Sequence, residues 1–157
     1  MSRVSPQEML KRTKDWADNM ARARRSVVAV GLPAEEVGGK VYGDGMSVIS
    51  VGAIHEYGAG NNPRRSFLRA PFTSKRDELT AAIARQFRDV AENGKSADKA
   101  LGLIGTIAMD ISKGAFTSRG YGEWPDLSQA TITAKGSSQP LIDTGTLRNS
   151  ITYVVRS

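Results

Sequence analysis

Residues 76–116, RDELTAAIARQFRDVAENGKSADKALGLIGTIAMDISKGAF, contain two amphipathic helical patterns separated by one short break. In the first pattern apolar residues recur every three or four positions, at Leu79, Ala82, Ile83, Phe87 and Val90. The second repeats the spacing at Leu101, Ile104, Ala108 and Ile111. We predict that Gly94 ends the first helix, and that Ser96 caps a second helix that runs to about Phe116.

The first 25 residues predict a further helix. Ser5 can cap its N-terminus, Pro6 suits the first turn, and Glu8 completes a capping box. The predicted helix runs to about Arg24 and carries one apolar face, formed by Met9, Thr13, Trp16, Ala17 and Met20.

Two short stretches rich in β-branched residues predict strands, 26–32 (SVVAVGL) and 150–156 (SITYVVR). Residues 33–46 are rich in glycine and are expected to form a loop, with a weak strand at 40–42. Residues 47–57 suit either a strand or a helix capped by Ser47, and we favour the helix.

After residue 117, glycines and prolines divide the chain into short pieces. Ser128 is predicted to cap a two-turn helix at 129–135, and Asp143 to cap a further turn at 144–149. No internal repeat interrupts the 157 residues. We therefore predict a single α+β domain over 1–157, with a small, mostly antiparallel sheet packed against the two longer amphipathic helices, and irregular loops.

Composition argues against most catalytic and metal chemistry. The chain has no cysteine and one histidine, His55, so thiol nucleophiles, disulfides and cysteine-based zinc sites are excluded. No Gly-x-Ser-x-Gly elbow and no phosphate loop accompany His55. We expect no catalytic residue, no metal site and no cofactor. No apolar run approaches the roughly 18 residues of a membrane span, so we expect a protein that folds in cytoplasm and contacts no membrane.

The formal net charge of +6 permits binding to nucleic acid or to an acidic protein surface. One basic cluster lies at the end of the first helix, at Arg22, Arg24 and Arg25. The other lies downstream, at Arg64, Arg65, Arg69, Lys75 and Arg76. A basic nucleic-acid-binding module is therefore one alternative function, and a small hydrolase that uses His55 is another.

Three segments resemble proteins of tailed bacteriophages. The first is AIHEYG at 53–58 followed by PRRSFLR at 63–69. The second is WPDLS at 124–128 with Thr131, Ile132 and KG at 135–136. The third is PLIDTG at 140–145 with Leu147, Arg148 and SI at 150–151. Their order resembles the virion morphogenesis, tail-completion and head-tail joining proteins, including the Mu-type members. The resemblance covers the chain from about residue 50 onward.

This resemblance implies a structural subunit of the virion neck or tail and no catalysis. Such proteins form rings, often hexameric, around the DNA channel. The implied partners are other copies of the chain and the neighbouring connector and tail proteins, with passing genomic DNA contacted without sequence specificity. Subunit or partner contacts are expected from an exposed apolar pair with basic neighbours, and from two residues further on: Arg64, Arg65, Phe67, Leu68, Arg69, Trp124 and Arg148.

Two of these assignments have an alternative within the fold itself. Trp124 is expected either to anchor a loop or to contact a partner. Asp143, Thr144 and Gly145 are expected to form a structural turn that starts the last short helix. In that helix Leu147 should point into the core, while Arg148 should point to solvent or to a partner.

Overall fold

The structure of this chain is a computed structural model that describes residues 4–136, 141 and 145–156. It has an α+β fold, as the sequence predicts. In chain order the elements are α1 Pro6–Arg25, β1 Val27–Gly31, α2 Ala34–Val37, α3 Val48–Tyr57, α4 Arg69–Ser74, α5 Arg76–Asn93, α6 Ala97–Thr117, α7 Gln129–Lys135, α8 Thr146–Ser150 and β2 Thr152–Arg156.

Four serine hydroxyls begin four of these helices. The Oγ atoms of Ser5, Ser47, Ser96 and Ser128 each accept a hydrogen bond from the backbone N–H three residues on, at 3.2, 3.0, 3.3 and 3.2 Å. Each bond satisfies an N–H that the helix itself leaves without an acceptor. The predicted helices at these positions are confirmed, including the helical alternative for residues 47–57.

The α6 helix lies at the centre of the molecule. It contacts α1, α4, α5, α8 and both strands. The predicted stop between α5 and α6 is also confirmed, because Gly94 adopts φ 67°, a left-handed conformation that suits glycine. The two helices therefore follow one another closely along the chain and pack side by side.

The two described strands pair antiparallel, with Val27 opposite Arg156 and Gly31 opposite Thr152. Both strands pack on α6. The close approach depends on Gly105, because a Cβ atom at that position would lie 2.2 Å from the ring of Tyr153. The predicted sheet is therefore confirmed, with α6 as the helix that it covers.

The core contains two clusters of buried side chains. The larger one joins α3, the segment before α4, the end of α6 and the C-terminal elements, and comprises Val48, Phe67, Ala115, Phe116, Trp124, Leu147 and Ile151. The smaller one joins α1 to α6 through Ala23, Ala97 and Leu101. The prediction that Leu147 is a core residue is confirmed, since its exposed fraction is 3%.

Three local predictions need correction. The glycine-rich stretch 33–46 contains the one-turn helix α2, and its predicted strand is only a single bridge between Val41 and Ser47. The helix α8 begins at Thr146, with Gly145 in the N-cap position. It therefore starts later than predicted, and Asp143 and Thr144 lie outside the described residues.

The predicted apolar face of α1 is only partly covered. Residues 4–18 are all exposed, and Met9 and Trp16 retain 60% and 50% of their surface. Only the C-terminal part of the helix packs on the body, where Ala23 is buried. Within the residues described, no helix has the length and hydropathy to span a membrane.

Candidate functional site

The buried carboxylate of Glu56 organises the segment that contains most of the predicted contact residues. Glu56 lies in the last turn of α3 with an exposed fraction of 4%. Its Oε2 accepts the backbone N–H groups of Phe67 and Leu68 at 2.8 and 3.0 Å. Its Oε1 accepts the Ser66 hydroxyl at 2.8 Å and the N–H of Arg69 at 3.1 Å. One side chain therefore binds the backbone N–H groups of three consecutive residues, and the hydroxyl of the residue before them, at the entrance to α4.

These bonds keep Glu56 ionised. Burial by itself would raise the pKa of the carboxyl group. The hydrogen bonds from the Leu68 N–H, the Ser66 hydroxyl and Arg69 outweigh burial, and they lower the pKa of Glu56 below its ordinary value. The Nε of Arg69 lies 3.2 Å from Oε1 and supplies a positive charge at the surface. A charged acceptor strengthens each of these hydrogen bonds.

The same segment is tied to the region around Trp124. The buried Arg65 donates from Nη2 to the carbonyls of Pro125 and Asp126, at 3.1 and 3.3 Å. Trp124 donates its ring N–H to the Ser66 carbonyl at 2.8 Å. We call Glu56, residues 65–69 and Trp124 the Glu56 cluster. It joins parts of the chain that are about sixty residues apart.

A third tie comes from α6. The hydroxyl of Ser112, which is fully buried, donates to the Phe67 carbonyl at 2.7 Å. The Phe67 ring lies 5.5 Å from that of Phe116, which lies 5.5 Å from that of Trp124 in an edge-on arrangement. Such geometry suits the ring quadrupoles.

Several predicted contact residues are therefore parts of the core. Phe67 has no exposed surface and Trp124 has 7%, so the prediction of an exposed Phe67 is wrong and Trp124 is the loop anchor. Arg65, predicted as a rim charge, is 5% exposed because its guanidinium satisfies two carbonyls of the neighbouring segment. Leu68 is half-buried and packs against the larger core cluster. The Glu56 cluster turns these side chains inward.

The surface over the Glu56 cluster is basic and partly aromatic. Arg64 is exposed, and the guanidinium of Arg69 lies over the exposed ring of Tyr57, 4.6 Å from its centroid. A cation held over an aromatic face keeps its charge at the surface in a defined position. We call Tyr57, Arg64 and Arg69 the basic surface. It contains two of the predicted contact residues.

Arg148 lies elsewhere, at the C-terminal side of α6. Its Nε atom is 3.5 Å from the Lys113 carbonyl, and its side chain is half-buried. A cation near the last carbonyls of a helix is favoured by the helix dipole. Arg148 is therefore not part of the basic surface.

His55 lines a cleft of about 540 Å³ together with Asn62, Arg65 and Ser128. The Ser128 hydroxyl is the N-cap of α7. Among the described residues no group of three or more histidine, aspartate or glutamate side chains could hold a metal ion. The adjacent Glu56 carboxylate faces residues 66–69 and accepts five hydrogen bonds from them.

Sequence reasoning did not find the roles of Glu56 and Ser112. A signal existed for Ser112, because a hydroxyl on the apolar face of a helix needs an acceptor. The carboxylate of Glu56, at the end of an apolar helix, gave a similar signal. Neither pattern identifies the acceptor or donor, which lies 45 residues away for Ser112.

Comparison of the chain with protein-family models, with curated proteins and with solved structures found no match.

Proposed function

We propose that this chain is a structural subunit of the neck or tail-completion assembly of a tailed bacteriophage, where copies of it form a ring around the DNA channel. The supporting observation is the Glu56 cluster. Residues 56 and 65–69 belong to the first segment that resembles the phage proteins, and Trp124, Pro125 and Asp126 belong to the second. The resemblance therefore falls on residues that hold the fold together, which is where a family sharing one fold should be alike.

The basic surface suits a protein that transmits contacts and performs no chemistry. Arg64 and Arg69 stand on a segment whose backbone is held at Phe67, Leu68 and Arg69. Preorganised charges at the rim of an interface affect the rate and salt dependence of association more than the stability of the subunit. In this proposal the basic surface contacts a neighbouring subunit or connector protein.

Inactivating the gene in a phage that encodes this chain tests the proposal. We expect separate DNA-filled heads and complete tails in lysates, with joining restored when the intact chain is supplied. Electron microscopy of particles with a labelled chain should place the label at the neck. Normal joined particles without the chain, or a label absent from purified particles, would contradict the proposal.

The exposed arginines favour a second candidate, a nucleic-acid-binding module. Arg24, Arg64, Arg76 and Arg88 are exposed, and none of them forms an ion pair within the described part of the chain. Arginines of this kind can replace the counterions of DNA. Duplex binding by the isolated chain that weakens steeply with salt, in a phage that still joins heads to tails without the chain, would favour this alternative.

A hydrolase that uses His55 is the third candidate. The cleft beside His55 contains Ser128, but that hydroxyl is engaged as a helix cap, and Glu56 is engaged with residues 66–69. A histidine base would have to draw its partner from groups that the fold already uses in this way. Hydrolysis of a model ester that is lost in His55→Ala, with the fold unchanged, would revive this candidate.

A further inference from the structure

Two apolar surfaces of this chain are left uncovered by the described residues. The first is the N-terminal part of α1, residues 4–15, which we call the arm. Val4, Met9 and Leu10 are 43%, 60% and 72% exposed. Trp16 is the first α1 side chain to hydrogen bond to the body, through its ring N–H to the Ala91 carbonyl at 3.0 Å.

The second uncovered surface is a groove of about 420 Å³ between β1 and α5, with α6 as its floor. Val28 and Val30 form one wall, Leu79, Ile83 and Phe87 the other, and Ile104 lies in the floor. Among the described residues no charged side chain lines the groove, and Ser26 is the one polar residue in its lining. The described sheet has two strands, and β1 is the strand beside the groove. No described strand pairs with the other edge of β1, so the surface of α6 between β1 and α5 stays open.

The arm and the groove of one chain do not meet. The α1 helix is continuous from Pro6 to Arg25, and it is held against α5 and α6 through Trp16 and Asn19. Ser26, which follows the helix, is at the edge of the groove. At about 1.5 Å per residue the arm begins roughly 15 Å from Ser26 and extends away from it. The arm reaches a groove only on another molecule.

The two surfaces match in length and in chemistry. The ten helical residues of the arm, 6–15, span about 15 Å, and the α5 wall of the groove from Leu79 to Phe87 spans about 12 Å. On a helix, Met9, Leu10 and Thr13 lie on one side, which continues the face that packs on the body at Trp16. We propose that the arm of one copy of this chain lies in the groove of a second copy.

This inference rests on the proposed self-assembly and names the two surfaces that make each contact. The contact is head-to-tail, because the two surfaces differ, and repeated head-to-tail contacts close into a ring when the rotation allows it. A helix about 10 Å wide laid along about 15 Å buries on the order of 300 Å² over both partners. This area is below the roughly 1,200 Å² of a stable pair. A single contact is therefore weak, and association depends on concentration or on closure of the ring.

The absence of native cysteine makes cross-linking a direct test. Two single-cysteine variants of the full chain, Met9→Cys in the arm and Ile83→Cys in the groove, are mixed and treated with a short thiol cross-linker. The two variants carry tags of different mass, so that only cross-links between copies are counted. The matched control replaces Ile83→Cys by Ala81→Cys, which is exposed on α5 and lies outside the groove lining. Leu79→Cys serves as a second groove variant if Ile83→Cys lowers the melting temperature.

We expect at least about ten times more mixed dimer from the arm and groove pair than from the control pair, over concentrations up to about 1 mM. Adding Leu10→Glu to the arm variant should abolish this excess and leave the melting temperature unchanged, because Leu10 is exposed. Equal yields with the groove and control cysteines, or no mixed dimer at about 1 mM, would overturn the inference. If the chain is nevertheless found at the neck of particles, the proposed function stands and only this contact is removed. If the cross-link is specific but the chain is absent from particles, the contact between copies stands and the proposed function is removed.

Discussion

At the scale of single residues, Glu56 accounts for the character of the segment PRRSFLR. A carboxylate buried at the end of α3 needs donors, and residues 66–69 supply backbone N–H groups and a hydroxyl. Because the backbone is held in this way, Phe67 turns into the core while Arg69 stays at the surface. One buried acceptor therefore sets the backbone from which Phe67 points inward and Arg69 outward.

The first prediction concerns Glu56→Gln. The amide keeps the shape of the side chain but directs an NH2 group toward backbone donors and removes the negative charge. We expect the free energy of unfolding at neutral pH to fall by about 3 kcal/mol, which lowers the melting temperature by about 6–12 °C. The matched control is Glu78→Gln, at an exposed carboxylate that pairs with Lys75, and it should melt within about 2 °C of the parent. Similar melting of both variants would contradict the role assigned to Glu56.

The lowered pKa of Glu56 also predicts how stability depends on pH. In the unfolded chain the carboxyl titrates near its ordinary value of 4.5, and in the folded chain it titrates lower. The stability contributed by the charge is therefore fully present above that ordinary value, and it is lost as the pH falls through the folded pKa. Denaturation curves from pH 7 to pH 3 should show a steeper loss for the parent than for Glu56→Gln. Parallel losses in the two proteins would remove the pKa argument.

The second prediction compares two neighbours in α8. Leu147→Ala removes a core side chain that is 3% exposed, and it should lower the free energy of unfolding by about 2–5 kcal/mol. Arg148→Ala removes a half-buried side chain that makes one long hydrogen bond to Lys113, and it should change stability by about 0.5 kcal/mol or less. Chemical denaturation measures both effects. A reversed order would mean that α8 faces the opposite way.

At the scale of elements, the position of the sheet is set by glycines on one face of α6. Gly102 and Gly105 both face Tyr153 of β2, but at different distances. The aromatic ring fills the space that a side chain at Gly105 would need. The strand can therefore lie close to the helix only where the helix has no Cβ atom.

The third prediction uses this difference. Alanine favours a helix over glycine by about 0.8–1 kcal/mol. At Gly102 the new methyl group would meet only the Tyr153 hydroxyl at 3.6 Å, an ordinary contact, so Gly102→Ala should raise the free energy of unfolding by up to about 1 kcal/mol. At Gly105 the methyl group would lie 2.2–2.6 Å from three ring carbons of Tyr153. Because of this overpacking, Gly105→Ala should lower the free energy of unfolding by about 1–3 kcal/mol. Urea denaturation of the two variants provides the measurement. If both substitutions changed the free energy of unfolding in the same direction, the close packing of β2 on α6 would be contradicted.

Elements were predictable from sequence where the signal is local. Serine caps, the left-handed Gly94 and apolar stripes each act within a few residues, and the helices that they mark are confirmed. The exposure of the α1 face was not predictable, because an apolar stripe indicates a buried face without identifying what covers it. In α1 the apolar face begins at Met9, but the residues up to position 18 are exposed.

At the scale of the whole molecule, the candidate site was the part least accessible to sequence reasoning. The sequence indicates residues 63–69 as a contact segment, but the exposure of its side chains depends on contacts with residues far along the chain. Arg65 reaches Pro125, and Ser112 reaches Phe67. No local pattern indicates which of two adjacent arginines is buried.

The fourth prediction separates these two arginines. Arg65→Ala leaves the carbonyls of Pro125 and Asp126 without their donor, and it should lower the free energy of unfolding by about 2 kcal/mol or more. Arg64→Ala removes an exposed charge, and it should leave stability within about 0.5 kcal/mol of the parent. In the proposed assembly it should instead slow the joining of heads to tails and make the joining less sensitive to salt, because the charge that salt screens has been removed. Thermal melts and a joining assay at two salt concentrations check the pair, and normal joining by Arg64→Ala would exclude the basic surface as a contact.

The pairing of β1 with β2 has a consequence for how the chain is made. A ribosome that has completed β1 adds about 120 more residues before β2 begins, which at about 5–20 residues per second takes on the order of ten seconds. During that time α5 and α6 can pack against each other, because they are neighbours along the chain. Val28 and Val30 of β1 stay unpaired until β2 has been synthesised. The nascent chain therefore exposes an unpaired apolar strand for most of its synthesis, and exposed strands of this kind are prone to aggregate until they pair.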